Sequence, residues 1–427
     1  MGSPKITHVS ITPIAVLDAP LLNASGVHEP YQLRAVIELD TDAGVFGLGE
    51  TYGDDPTLRN LRAAVPALVG VDIFDLNELN RRVAVALGAV SSSSPTELVG
   101  RASRAKTVAQ AYGAFEVACY DAQGKATDMR VCDLLGGAVR ASVPYSAYLF
   151  YRWEQHPGYA VPDDYPDDDW GAALDPDGIV AQARRMVDVY GFRSLKLKGG
   201  VFEPEAEADA VAALRDAFPD LPLRLDPNAN WTVATSLRIA PRLEGLLEYL
   251  EDPTGGNPGM AEVARKTSLP LATNMCVTSF EEIPEAAALD SVSVVLSDHH
   301  FWGGLRASQR LAGICDTFGW GMSMHSNTHL GISLSAMTHL AAATPNLTYA
   351  CDTHSPWQRE DVIEAGALTW SHGALAVPSG PGLGVELDRD ALARLHEQYL
   401  ACGLRKRDDE SAMLRADPAW PPRRPRF

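Results

Sequence analysis

The stretch LKLKGGVFEPEAEADAVAALRDAFPDLPLRLD, Leu195 to Asp226, decides the fold. It opens on a short alternating run, passes through Gly199–Gly200 into a segment with helical apolar spacing over 203–217, and closes on a second short run, LRLD. A strand throws successive side chains to opposite faces, whereas a helix repeats its face every three to four residues, so the order reads strand, helix, strand. Such a unit joins parallel strands.

The same alternation extends in both directions from about residue 140. VPYSAYLF precedes a helix at 176–190 and LRLDPN one at 232–244. LEYLEDP, LATN, VSVVLSD and GMSMHS follow, each trailed by a helical stretch, and AVPSG comes last. About eight strands in ~240 residues fit a closed (β/α) barrel better than an open sheet. No GxGxxG follows the first strand and no GK[ST] occurs, which disfavours nucleotide-binding versions.

Upstream the pattern differs. Residues 6–17, 33–40 and 45–50 read as strands, with TDAG (41–44) as a hairpin turn, and 57–69, 72–87 and 105–127 have helical periodicity. The serine run at 91–95 is a loop. Residues 1–135 therefore form an α+β unit, 136–385 the barrel, and 386–427 a charged, Pro-rich segment that follows the last strand. The acidic stretch 158–178 reads as a surface loop.

Composition narrows the function. The chain has 427 residues, 46% of them hydrophobic, enough for a barrel-sized core. No run of 18 or more apolar residues occurs and the start lacks a basic segment followed by an apolar one, so a cytoplasmic protein is expected. Six cysteines without a CxxC pair fit a reducing compartment. A net charge of −19 repels nucleic acid and anionic membranes, so positive charge for an anionic substrate must be supplied locally.

The strand ends carry the chemistry. Lys198, Asp226, Glu251, Asn274, Asp298 and His325 recur at intervals of 28, 25, 23, 24 and 27 residues, one strand-plus-helix unit each. Residues repeating at that interval share the C-terminal rim, where such barrels place their active sites. A lone Asp before Pro is ordinarily a turn former or helix cap; six polar strand ends in succession after apolar strands are not. Asp226, Glu251 and Asn274 offer only oxygen, which selects a hard divalent cation and suits Mg²⁺.

Lys196 and Lys198 share one strand face, and a lysine beside a second ammonium, partly desolvated, is expected to have a lowered pKa and to act as a base. His325 beside Asp298 gains a defined tautomer. Two bases across a metal suit removal of a weakly acidic proton α to a carboxylate, with the enediolate held by the cation. His325 and His329 are four apart, but no Glu follows His325, so a zinc-protease motif is absent. His299–His300 is expected to line the loop beside Asp298, and GPGLG (380–384) to be a tight turn.

KLK, DPN, EDP, ATN, SDHHFW, HSNTHLGIS and GPGLGVELD, in this order over nearly the whole chain, resemble the enolase superfamily and within it the glucarate dehydratase group. The resemblance implies an N-terminal α+β capping domain, completed by the C-terminal segment, over a modified (β/α)7β TIM-type barrel. It implies Mg²⁺ on Asp226, Glu251 and Asn274, Lys198 and His325 as bases on opposite faces of the substrate, Lys196 tuning Lys198, and Asp298 pairing with His325. Asn228 joins these catalytic groups, and His28, Thr107, Tyr148, His354 and Arg407 match substrate contacts. Arg407 suits the far carboxylate as a bidentate donor. Where the family phrase has Gly after Asn, this chain has Ala229.

The implied activity is that of a hydro-lyase converting D-glucarate, and L-idarate, to 5-dehydro-4-deoxy-D-glucarate. The alternatives are another acid-sugar dehydratase or epimerase of the superfamily, and a weakly catalytic relative. A small acid-sugar ligand and a homo-oligomer are the expected partners, with no nucleic acid and no membrane.

Overall fold

A computed structural model describes residues 2–88, 102–157 and 168–427. The serine run at 91–95 and residues 158–167 of the acidic stretch lie outside the described residues.

The N-terminal sheet is antiparallel and holds β1 (Ile6–Leu17), β2 (Tyr31–Thr41) and β3 (Phe46–Tyr52) in chain order. The turn between the last two closes with Gly44 N donating to Thr41 O at 3.2 Å. Helix Arg104–Thr127 crosses this sheet, started by Ser103 Oγ accepting from Lys106 N. Glycines in FGLGE permit the approach: a Cβ on Gly47 would lie 1.9 Å from Ala118 O, and one on Gly49 2.6 Å from Ala114 O.

The barrel runs through β4 (Ser142–Phe150), β5 (Leu195–Lys198), β6 (Leu223–Asp226), β7 (Tyr249–Glu251), β8 (Leu271–Thr273), β9 (Val294–Ser297), β10 (Gly321–Met324) and β11 (Cys351–Thr353). Neighbours from β4 to β10 pair in parallel, and β11 pairs in parallel with β4. Helices follow each of β4 to β10, whereas β11 ends the series, giving (β/α)7β. The register sets Phe150 opposite Lys198 and Lys198 opposite Asp226, so the C-terminal strand ends come level.

The eighth strand corrects the sequence reading. AVPSG is not a barrel stave: Ala374–Ala376 pairs antiparallel with the start of β4 and forms a small outer hairpin with Trp370–Ser371. The closing strand is CDT, three residues without an apolar run and thus without a periodic signal. GPGLG is a turn, with Gly382 and Gly384 at φ +68° and +66°.

After the barrel the chain returns to the cap. Helix Arg389–Cys402 packs on β1, and helix Asp409–Ala416 packs on the short hairpin Leu22–Asn23/Gly26–Val27. Gly26, at φ +131°, admits that helix, since a Cβ there would meet Asp409 O at 2.5 Å. Among the described residues no helix is long and apolar enough to cross a membrane.

Candidate active site

Between cap and barrel rim lies a cavity of about 270 Å³. The barrel contributes Tyr148, Lys198, Asn228, Asn274, His325 and His354; the cap contributes Asn23, His28 and Gln32; the C-terminal segment contributes Arg407 and Asp409. Lys196, Asp226, Glu251 and Asp298 are buried in contact with these groups. Placing CDT as the eighth stave puts His354 directly after a strand, continuing the series of polar strand ends.

The lysines are held by carboxylates. Lys196 Nζ lies 2.7 Å from both Glu251 Oε2 and Asp352 Oδ2 and 3.5 Å from Asp226 Oδ2. Lys198 Nζ donates to Asp226 Oδ2 at 2.6 Å and to Asn228 Oδ1 at 2.8 Å. The Tyr148 ring lies beneath both, at 4.9 and 5.8 Å. These carboxylates oppose the lowered lysine pKa that two neighbouring ammonium groups alone would give. Burial disfavours the charge on each, but Asp352 and Glu251 hold Lys196 well above the usual lysine range, and Asp226 raises Lys198. Asp352, in the closing strand, is the partner the sequence reading lacked.

Asp226 and Glu251 behave as an unequal pair. Burial and the Asp226 charge push the Glu251 carboxyl well up, while Asp226, despite its burial, is drawn down by Lys198 and Lys196. Two buried carboxylates this close favour a multivalent cation. Glu251 Oε2, though near Lys196, takes no well-directed hydrogen bond. Asn274, one residue beyond β8, adds a carboxamide oxygen on the cavity wall. The donor set is all oxygen and fits magnesium.

The loop after Asp226 carries two left-handed residues in succession. Asn228 and Ala229 both adopt φ +56°, and Ala229 N donates to Asp252 O at 2.6 Å. Asn228 Nδ2 is buried without a hydrogen-bond partner among the described residues.

On the other wall His325 Nδ1 meets Asp298 Oδ2 at 3.0 Å, and Phe301 stacks on the imidazole at 6.0 Å. Burial acts to raise the Asp298 carboxyl, yet the His300, His325 and His329 rings hold it well below the carboxylate range. Asp298, His300 and His329 bring donor atoms within 4.8 Å of one another, but the Asp298 oxygens are already engaged by His300 and His325.

At the distal end His28 Nδ1 bonds Asp18 Oδ2 at 2.9 Å, and Gln32 Nε2 donates to the same oxygen. Arg407 is in place, but its bidentate edge is not open: Nε and Nη2 both donate to Asp409 at 2.6 Å, leaving Nη1, 3.9 Å from Asp18. Asp409 also accepts from Asn23 Nδ2 at 2.9 Å. Thr107 is not on the wall; its hydroxyl donates to Ser103 O one helical turn back. Asp18, Asn23, Gln32 and Asp409 were missed by sequence reasoning, although Asn23 lies five residues before His28 in NASGVHEP and Asp409 two after Arg407 in RKRDD, both matched by the resemblance.

Residues 7–136 match the mandelate racemase/muconate lactonizing enzyme N-terminal domain, and residues 178–391 match the enolase C-terminal domain-like family. A probable glucarate dehydratase of Streptomyces coelicolor is 55% identical over 421 residues, 97% of each chain. The chain belongs to the enolase superfamily. A superfamily enolase from Thermobispora bispora, solved with magnesium and formate, aligns with a TM-score of 0.95 at 58% identity, covering 99% of this chain and 100% of its own. One from Pseudomonas fluorescens, with magnesium, potassium and tartrate, gives 0.95 at 52% identity over the full length of both. The chain is thus an enzyme of the hydro-lyase type with the superfamily's capped barrel. Magnesium is the cofactor of this superfamily.

Proposed function

We propose that this enzyme dehydrates an aldarate, D-glucarate and its epimer L-idarate, to 5-dehydro-4-deoxy-D-glucarate. The observation that carries the reading is the cavity itself: Lys198 and His325 stand on separate walls, with the Asp226–Glu251–Asn274 oxygen set beside Lys198. The 55% identity to a probable glucarate dehydratase supports the substrate class.

Asp226, Glu251 and Asn274 would hold magnesium, which would supply positive charge at the substrate carboxylate, where negative charge collects as the α proton leaves. Lys198 takes that proton from one epimer and His325 from the other; the β-hydroxyl takes up a proton from the protonated member of this pair and departs as water, and the enol left behind tautomerises to the ketone. A cation taken up by Asp226 would weaken that carboxylate's pull on the Lys198 ammonium, favouring the neutral form a base needs. Asp298 keeps His325 Nδ1 bonded so that Nε2 faces the reacting carbon. Arg407 Nη1, His28 and Lys406 meet the far carboxylate and supply the local positive charge that a chain of net charge −19 requires. Asn228 Nδ2 offers a donor to a substrate oxygen.

Purified protein with Mg²⁺, incubated with the diastereomeric aldarates and with aldonates and read for α-keto acid, tests this. Turnover of glucarate and idarate with no aldonate turnover is expected. Aldonate turnover without glucarate would show that no second carboxylate is recognised.

A further inference from the structure

Asp298 is shared between two imidazoles. Its Oδ2 accepts from His325 Nδ1 at 3.0 Å, while its Oδ1 accepts from the His300 backbone N–H and from His300 Nδ1, each at 2.9 Å. His300 lies in the four-residue helix His299–Trp302 and is 2% exposed. With Nδ1–H given to Asp298, its Nε2 is an acceptor, and two donors face it: Ser333 Oγ at 3.0 Å and Arg34 Nη2 at 3.4 Å. The Glu50 carbonyl oxygen lies 3.2 Å from the same nitrogen.

Neither donor is loosely placed. Arg34, buried in β2, pairs with Glu50 of β3 through Nε at 2.8 Å and Nη2 at 2.6 Å. Glu50 in turn accepts from Leu330 N at 3.0 Å and Ser333 N at 2.8 Å, where helix Gly331–Ala342 begins after the His325 loop. A continuous chain, Glu50–Arg34–His300–Asp298–His325, therefore joins the cap sheet to the imidazole on the rim.

We propose that His300 is a positioning residue: by donating to Asp298 it occupies part of the carboxylate's hydrogen-bonding capacity and so sets how tightly His325 holds a proton. The inference rests on the reading of His325 as a proton-transfer base. A carboxylate serving two donors pulls less on each; with His300 gone, Asp298 would stabilise the His325 imidazolium more and delay its neutral form to higher pH. The other ionisable groups facing the pair are Arg34, Glu50 and Tyr52 from the cap, His299 and His329 from the rim, and His354 across the cavity. None of these donates to Asp298 at hydrogen-bond distance among the described residues; His329 Nε2 stands at 3.6 Å.

The test is an ¹⁵N-edited imidazole titration of His325 in the Mg²⁺-loaded protein. His300→Gln, whose amide falls at the Nε2 position and away from Asp298, is expected to raise the His325 midpoint by about one pH unit. His300→Asn, whose amide nitrogen replaces Nδ1, is expected to restore it. The acid limb of His325-dependent deuterium exchange should move by the same amount, while Lys198-dependent exchange on the other epimer stays put. An unmoved midpoint in H300Q, or an equal rise in H300N, overturns the proposal. In the wild-type protein the ring ¹⁵N shifts must show His300 as the Nδ1–H tautomer; the Nε2–H tautomer overturns it whether or not either variant folds. The titration needs no turnover, so failure of the glucarate reading and failure of this inference are separately visible.

Discussion

Arg407 shows how a single side chain can be located by its sequence and still be misjudged in its chemistry. The RKRDD motif brings the guanidinium to the distal wall, yet Asp409, two residues on, occupies the fork that a substrate carboxylate would otherwise fill. Asp409, with Asn23 on its other side, fixes the direction of the remaining Nη1 donor. Asp409→Asn is therefore expected to raise KM for glucarate about tenfold with kcat within about threefold, the size of one charge-assisted hydrogen bond. Steady-state kinetics reads this, and an unchanged KM would remove Asp409 from substrate recognition. The strand-end residues were legible because their spacing repeats with the barrel unit. Asp18 and Gln32 were not, because nothing in the spacing of β1 and β2 marks a residue that helps to hold His28.

Among elements, helix Arg104–Thr127 packs on both the cap sheet and the barrel helices, and its buried Glu116 bonds across that contact. Glu116 accepts from Leu305 N at 2.5 Å and from Tyr112 OH at 3.3 Å, at the start of helix Leu305–Phe318. Burial pushes its carboxyl up to about 7 from 4.5. A carboxyl raised in the folded state stabilises fully below its unfolded pKa and loses that contribution as pH climbs through the folded one. Relative to Glu116→Gln, the wild-type protein should therefore lose about 3 kcal/mol between pH 4.5 and 8. Urea unfolding at the two ends of that range measures it, and a gain in relative stability with pH would contradict the assignment. Long periodic helices and apolar strands were readable in the sequence. The three-residue CDT strand was not, since its place comes from pairing with β4 and not from any local preference.

For the whole molecule, cap and barrel build one cavity: His28 and Gln32 from one, Lys198, Asn274 and His325 from the other, with Arg407 threaded between. The barrel followed from counting strand–helix units and the cap from the family resemblance, while the contacts across the seam, such as Arg34–Glu50 with His300, are long-range and leave no periodic trace. The metal is expected to serve chemistry at the rim and not the fold: chelation should abolish dehydration and proton exchange, Mg²⁺ should restore both, and far-UV circular dichroism should stay unchanged. Activity that survives exhaustive chelation would remove the metal from the account.

The central claim is that Lys198 and His325 attack from opposite faces of one bound substrate. Deuterium incorporation from heavy water into D-glucarate and L-idarate, followed by NMR for the wild-type protein and for Lys198→Met and His325→Asn, tests it most directly. Each variant is predicted to lose exchange on one epimer and keep it on the other, with the two losses complementary. Equal loss on both epimers in either variant would contradict it.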